Sequence, residues 1–138
     1  MFDIVNKTEV KPPASGLFLK KIKNKIVGQD YELSVVFAEN TLSQDLNNKY
    51  RNKNHPTNVL SFPLGETAGE IFMDLSKIEE EAKNIKLSYQ SYFVFIFIHG
   101  LLHLKGLDHG KGMSDQEKKF LEDFDIKIPP ELEQFFKN

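Results

Sequence analysis

The sequence predicts an α+β fold, a small mixed β-sheet packed on helices with one central helix that is apolar nearly all round. Three observations carry this expectation. Short segments rich in β-branched and aromatic residues alternate with longer stretches of helical periodicity. The apolar run Tyr92 to Ile98 continues without a breaker into two histidines four residues apart, which favours a single buried helix over Ser88 to Leu104 although propensity alone would suit a strand. The chain has 138 residues, 40% of them hydrophobic and 28% charged, enough for one domain spanning 1–138 with its own core.

Taken in order, Phe2 to Val5 is a short first strand. Leu17 to Val27 places Phe18, Leu19, Ile22 and Ile26 on one helical face, with lysines elsewhere. Tyr31 to Ala38 is β-rich and bounded by polar residues, so a second strand is expected there. Thr41 and Gln44 form a capping box for a helix that turns Leu42, Leu46 and Tyr50 inward. Asn58 to Pro63 reads as a strand, Gly65 to Gly69 as a turn and Glu70 to Leu75 as the returning strand of a hairpin. Capping signatures at Ser76/Glu79 and Ser114/Glu117 open helices near 77–86 and 114–124. After Pro129-Pro130, Leu132, Phe135 and Phe136 suit a terminal helical turn.

There is no cysteine, so no disulfide framework exists and a reducing compartment is compatible. The start, Met1-Phe2-Asp3-Ile4, lacks the basic and apolar regions of a signal peptide, and the longest apolar run is too short to span a bilayer. A cytoplasmic protein with no membrane partner is expected. Net charge is −2, but residues 1–53 hold nine basic and six acidic side chains, whereas 54–138 hold nine and fourteen. The basic excess lies at Lys20, Lys21, Lys23 and Lys25 and at Lys49, Arg51 and Lys53. These are candidates for contacting a phosphate backbone.

The most specific feature is His99-Gly100-Leu101-Leu102-His103-Leu104-Lys105-Gly106-Leu107-Asp108-His109. At about 3.6 residues per turn, His99 and His103 share a helical face and can aim their ring nitrogens at one point. Gly106 can adopt the left-handed conformation that ends a helix, returning the chain so that His109 completes a three-nitrogen face. Three neutral imidazoles suit zinc with a fourth position open, a catalytic rather than structural type of site. The central helix is therefore expected to bear a metal. The spacing is that of metzincin peptidases, yet Gly100 stands where their catalytic glutamate follows the first histidine, which weakens a peptidase reading.

The histidine segment also matches the H-G-x-L-H-x-x-G-x-D-H signature of the YbeY family of metal-dependent endoribonucleases, also described as ribosomal RNA maturation factors. Leu46 to Arg51 followed by Pro56-Thr57-Asn58-Val59-Leu60-Ser61-Phe62-Pro63 is similar to that family's second signature. Gly69-Glu70-Ile71 resembles its third, where aspartate is commoner than Glu70. Order and spacing run in parallel from about residue 31 to residue 124. The resemblance implies a zincin-like fold, one zinc ion held by His99, His103 and His109, and an active-site arginine at Arg51. It also implies a role in 3′-end processing of small-subunit ribosomal RNA and in ribosome quality control, with RNA and the small subunit as partners. Leu107 departs from the pattern, standing where an aromatic residue is usual.

Phosphodiester cleavage needs charge stabilisation on the phosphoryl oxygens. The Arg51 fork matches two of them, and Lys49 and Lys53 lie beside it for substrate binding. A metal-activated water, a carboxylate behind a ligand and the RNA 2′-hydroxyl all remain open as the base. Asp108 suits either orienting a ligand imidazole or capping the turn, and His55 is more simply an isolated loop histidine. Two other functions fit the same residues: a metallopeptidase, and a non-catalytic zinc-containing ribosome-assembly or RNA-binding factor.

Overall fold

A computed structural model describes residues 1–39, 58–107, 111–127 and 129. Its elements in chain order are β1 (Phe2–Asn6), α1 (Gly16–Ile26), β2 (Glu32–Phe37), β3 (Val59–Gly65), β4 (Ala68–Met73), α2 (Leu75–Asn84), α3 (Tyr89–Leu104) and α4 (Lys111–Asp123). The expected helix from Thr41 and the tail after Pro130 lie outside the described residues, as do Lys49, Arg51, Lys53, His55, Asp108 and His109.

The four strands form one mixed sheet in the order β1-β2-β4-β3. β1 and β2 are parallel, as are β2 and β4, while β3 returns antiparallel to β4 as the expected hairpin. β3 is the edge strand of this pairing, and that position tolerates Pro63, which has no N–H to give a ladder. The register slips there, between Pro63 and Gly65. Along β4, Gly69, Ile71 and Met73 are buried and alternate with half-buried Ala68, Glu70 and Phe72, so one face carries the core.

Ser88 caps α3 by accepting a hydrogen bond from the Ser91 N–H at 3.0 Å, and the helix runs unbroken to Leu104. It packs on α1, α2, α4, β3 and β4, which is why its sequence is apolar on every side. Phe93 and Phe97, one turn apart, stack in parallel, and Phe93 meets Phe37 of β2 edge-on. The β-favouring run thus folds as helix because tertiary burial outweighs local propensity.

The hairpin strands run closer to the turn than expected, β3 to Gly65 and β4 from Ala68, and the ends set by caps also differ. α2 starts at Leu75, since Asp74 rather than Ser76 is the N-cap and accepts from the Lys77 N–H at 3.1 Å. Strand β4 consequently ends at Met73, not Leu75. Helix α4 begins by Lys111, so Ser114 lies inside it and forms no capping box with Glu117.

A polar cluster ties β3 to the helices. The Asn58 side-chain amide donates to Glu81 Oε1 at 2.7 Å, and Tyr92 Oη donates to the same oxygen at 3.0 Å. Burial, then the adjacent Glu81 charge, push the Tyr92 phenol far above its ordinary pKa and keep it a donor.

A candidate metal centre on the central helix

His99 and His103 occupy the last turns of α3, and their imidazoles converge as their spacing predicts. The two Nε2 atoms are 3.1 Å apart, with ring centroids separated by 4.7 Å and planes crossed at 85°. The opposite nitrogen of each ring is engaged. His103 Nδ1 lies 3.0 Å from the Leu107 carbonyl oxygen, and His99 Nδ1 lies 2.5 Å from Glu117 Oε2. A carbonyl only accepts and a carboxylate accepts, so both Nδ1 atoms carry the proton. With the rings neutral, each Nε2 carries a lone pair and both face the same point, as metal ligands must.

At that distance the two nitrogens can be bridged by a shared proton, as an N–H···N hydrogen bond, or by a metal ion. Zinc–nitrogen bonds of about 2.0–2.1 Å in tetrahedral geometry place two ligand nitrogens about 3.3 Å apart, close to what the histidines adopt. The donor set therefore fits a metal ion. Among the described residues no three such ligands come together, because the third histidine of the motif, His109, is outside them.

The turn after α3 creates half of this arrangement. Gly106 has φ +91°, and its N–H donates to the His103 carbonyl at 2.9 Å while the Leu107 N–H reaches back to Leu102 at 3.1 Å. This double closure is the Schellman motif, which needs a residue at ease in the left-handed region. It also delivers the Leu107 carbonyl to His103. Leu107 thus contributes through its backbone, whatever side chain it carries.

Gly100 has a packing role. A Cβ there would lie 3.2 Å from Ser61 Oγ and 3.3 Å from both Ile71 Cδ1 and Val59 Cγ2. Ser61 Oγ donates to the Gly100 carbonyl at 2.9 Å, locking α3 against β3. The position that carries the peptidase glutamate points into the sheet here and has no room for a carboxylate.

Glu117 is the site residue that the sequence reading misassigned. It sits on the apolar face of α4 with Met113, Phe120 and Leu121, all buried, and its side chain is only 5% exposed. A carboxylate at core spacing on an amphipathic helix was the available signal. Lys23 is a second correction: it is 1% exposed and its Nζ donates to the Gln29 carbonyl at 3.0 Å. It therefore closes the end of α1 and cannot track a phosphate backbone, whereas Lys20, Lys21 and Lys25 are exposed.

The model of the family described as endoribonuclease YbeY matches residues 4–128. A protein of that name from Aliarcobacter butzleri is 38% identical over 141 residues, covering 96% of each chain. Another from Ehrlichia chaffeensis is 35% identical across 95% of this chain and 86% of the relative. The solution structure of TM1509 from Thermotoga maritima aligns with a TM-score of 0.61 at 29% identity, over 89% of this chain and 88% of that one.

Proposed function

The chain belongs to the endoribonuclease YbeY family, and from that premise we propose that it is a zinc-dependent endoribonuclease acting on single-stranded RNA. Its place would be in 3′-end maturation of small-subunit ribosomal RNA and ribosome quality control, in the cytoplasm and in contact with the small subunit. The family is one of metalloenzymes, and zinc is the metal proposed for this chain. The observation that carries the reading is the pair of Nε2 atoms facing each other at 3.1 Å, each ring held by an acceptor at Nδ1.

In this reading His99, His103 and His109 would hold the ion. When bound, zinc polarises a phosphoryl oxygen and acidifies water. The chain's own residues supply the rest. Neutral imidazoles would leave the ion's charge undiminished, the Arg51 fork would grip two phosphate oxygens, and Lys49 and Lys53 would bind the RNA backbone. Lys20, Lys21 and Lys25, exposed on α1, are further candidates for contact with the RNA backbone. A peptidase is disfavoured, because the space at Gly100 excludes the carboxylate that peptide hydrolysis on this frame uses.

The test measures bound metal in the purified protein and compares it with His103→Ala on single-stranded RNA and on a peptide mixture. Metal-dependent RNA cleavage that His103→Ala abolishes supports the proposal. Peptide cleavage, or zinc binding with neither activity, overturns it.

A further inference from the structure

We propose that Glu117 is a positioning residue for the histidine centre: its carboxylate fixes His99 in the Nδ1–H tautomer and aims its Nε2 at the metal. This rests on the metal-centre reading above. The two described histidines are held in different ways. His103 is oriented by a neutral backbone carbonyl, which the turn at Gly106 delivers automatically. His99 leans on a full negative charge from a different helix, across eighteen residues of sequence.

That charge is costly where it sits. Glu117 is flanked on α4 by the buried side chains of Met113, Phe120 and Leu121, a position where a leucine would pack without penalty. A buried carboxylate persists only with a hydrogen-bonded partner, and His99 Nδ1 is the one the structure gives it among the described residues. The gain appears at the other end of the imidazole. Drawing the Nδ1 proton toward a carboxylate makes Nε2 a stronger donor, and it prevents the tautomer in which Nε2 carries a proton and cannot ligate. Helix α4 starts two residues after His109, so the same helix that follows the third histidine of the motif also orients the first. Phe95, one turn earlier on α3, lies against the His99 ring with centroids 6.2 Å apart and restricts its swing.

The test has two readouts on wild type, Glu117→Gln, Glu117→Ala and the exposed control Glu122→Gln. Nitrogen NMR of the metal-free proteins reports the tautomer of each histidine, and competition with a chromophoric chelator reports zinc affinity. Wild-type His99 is expected as Nδ1–H, with Glu117→Ala shifting it toward Nε2–H while His103 stays unchanged. Zinc affinity should fall about 10- to 100-fold in Glu117→Ala and by less in Glu117→Gln, which keeps an acceptor oxygen but loses the charge. Glu122→Gln should match wild type. An Nε2–H tautomer for His99 in the wild type overturns the proposal, as does zinc affinity that both Glu117 variants retain within about twofold. Absence of zinc binding by the wild type would instead sink the metal-centre reading, with the tautomer still deciding whether Glu117 orients His99.

Discussion

Gly100 and Glu117 do different things from the glutamate of the peptidase motif: one packs α3 on the sheet, the other faces the back of His99. The glycine position is crowded by Ser61, Ile71 and Val59, and the carboxylate enters from α4 behind His99 instead of beside it. Gly100→Ala should cost up to about 2 kcal/mol, overpacking being offset in part by alanine's better helix propensity, read by urea denaturation. Gly100→Glu should unfold the chain without conferring peptide cleavage. Arg51 belongs to the same scale: Arg51→Ala should lower RNA cleavage by about 10²-fold or more with zinc content unchanged, and a full cleavage rate would remove it from phosphate binding. At this level the histidines were legible because their spacing has one strong geometric meaning. Glu117 was misread because serine and glutamate three apart also spell a helix start. Only the position of α4 against α3 separates the two meanings, and no local pattern encodes that. Lys23 shows the same limit: four lysines in six residues look alike in sequence, and packing alone buries one of them.

At the scale of elements, the ends of helices place the chemistry. The Schellman turn at Gly106 both finishes α3 and carries the Leu107 carbonyl to His103. Gly106→Ala should cost about 1–2 kcal/mol for a left-handed residue with a Cβ, and zinc affinity should fall with it because the carbonyl moves. Undiminished affinity in that variant would separate the turn from the site. Asp74, at the start of α2, is 1% exposed; Oδ1 caps the helix while Oδ2 is buried with no hydrogen-bond partner among the described residues. Burial raises its pKa above the ordinary 3.8, so the folded state holds the proton more tightly than the unfolded one. The stability this contributes is complete below the unfolded value and is lost as pH rises through the folded one. Asp74→Asn, which keeps the capping oxygen and cannot ionise, should gain stability relative to wild type across that interval and then level off. Denaturation midpoints from about pH 3.5 to 7 would show it, and a constant difference would contradict it. The sequence marked a helix start in this neighbourhood but pointed to Ser76 as the cap and put Asp74 in the preceding strand. The choice depends on where β4 stops, which strand pairing rather than composition decides.

For the whole molecule, the sheet order β1-β2-β4-β3 and the buried α3 bring two imidazoles, a carboxylate and a helix-ending turn into one place. The α+β class and the central helix could be read from periodicity, because an apolar run that long can be satisfied only by burial on all sides. The parallel pairing of β1, β2 and β4 could not, since strand order is set by crossovers that leave no local mark. The role proposed for the convergent histidines is to hold the ion on which RNA cleavage depends. Its most direct test strips the protein with a chelator, titrates zinc back and follows cleavage of a single-stranded RNA. The account predicts no cleavage by the stripped protein and recovery that saturates at about one zinc per chain. Cleavage by the metal-free protein at the original rate would contradict it.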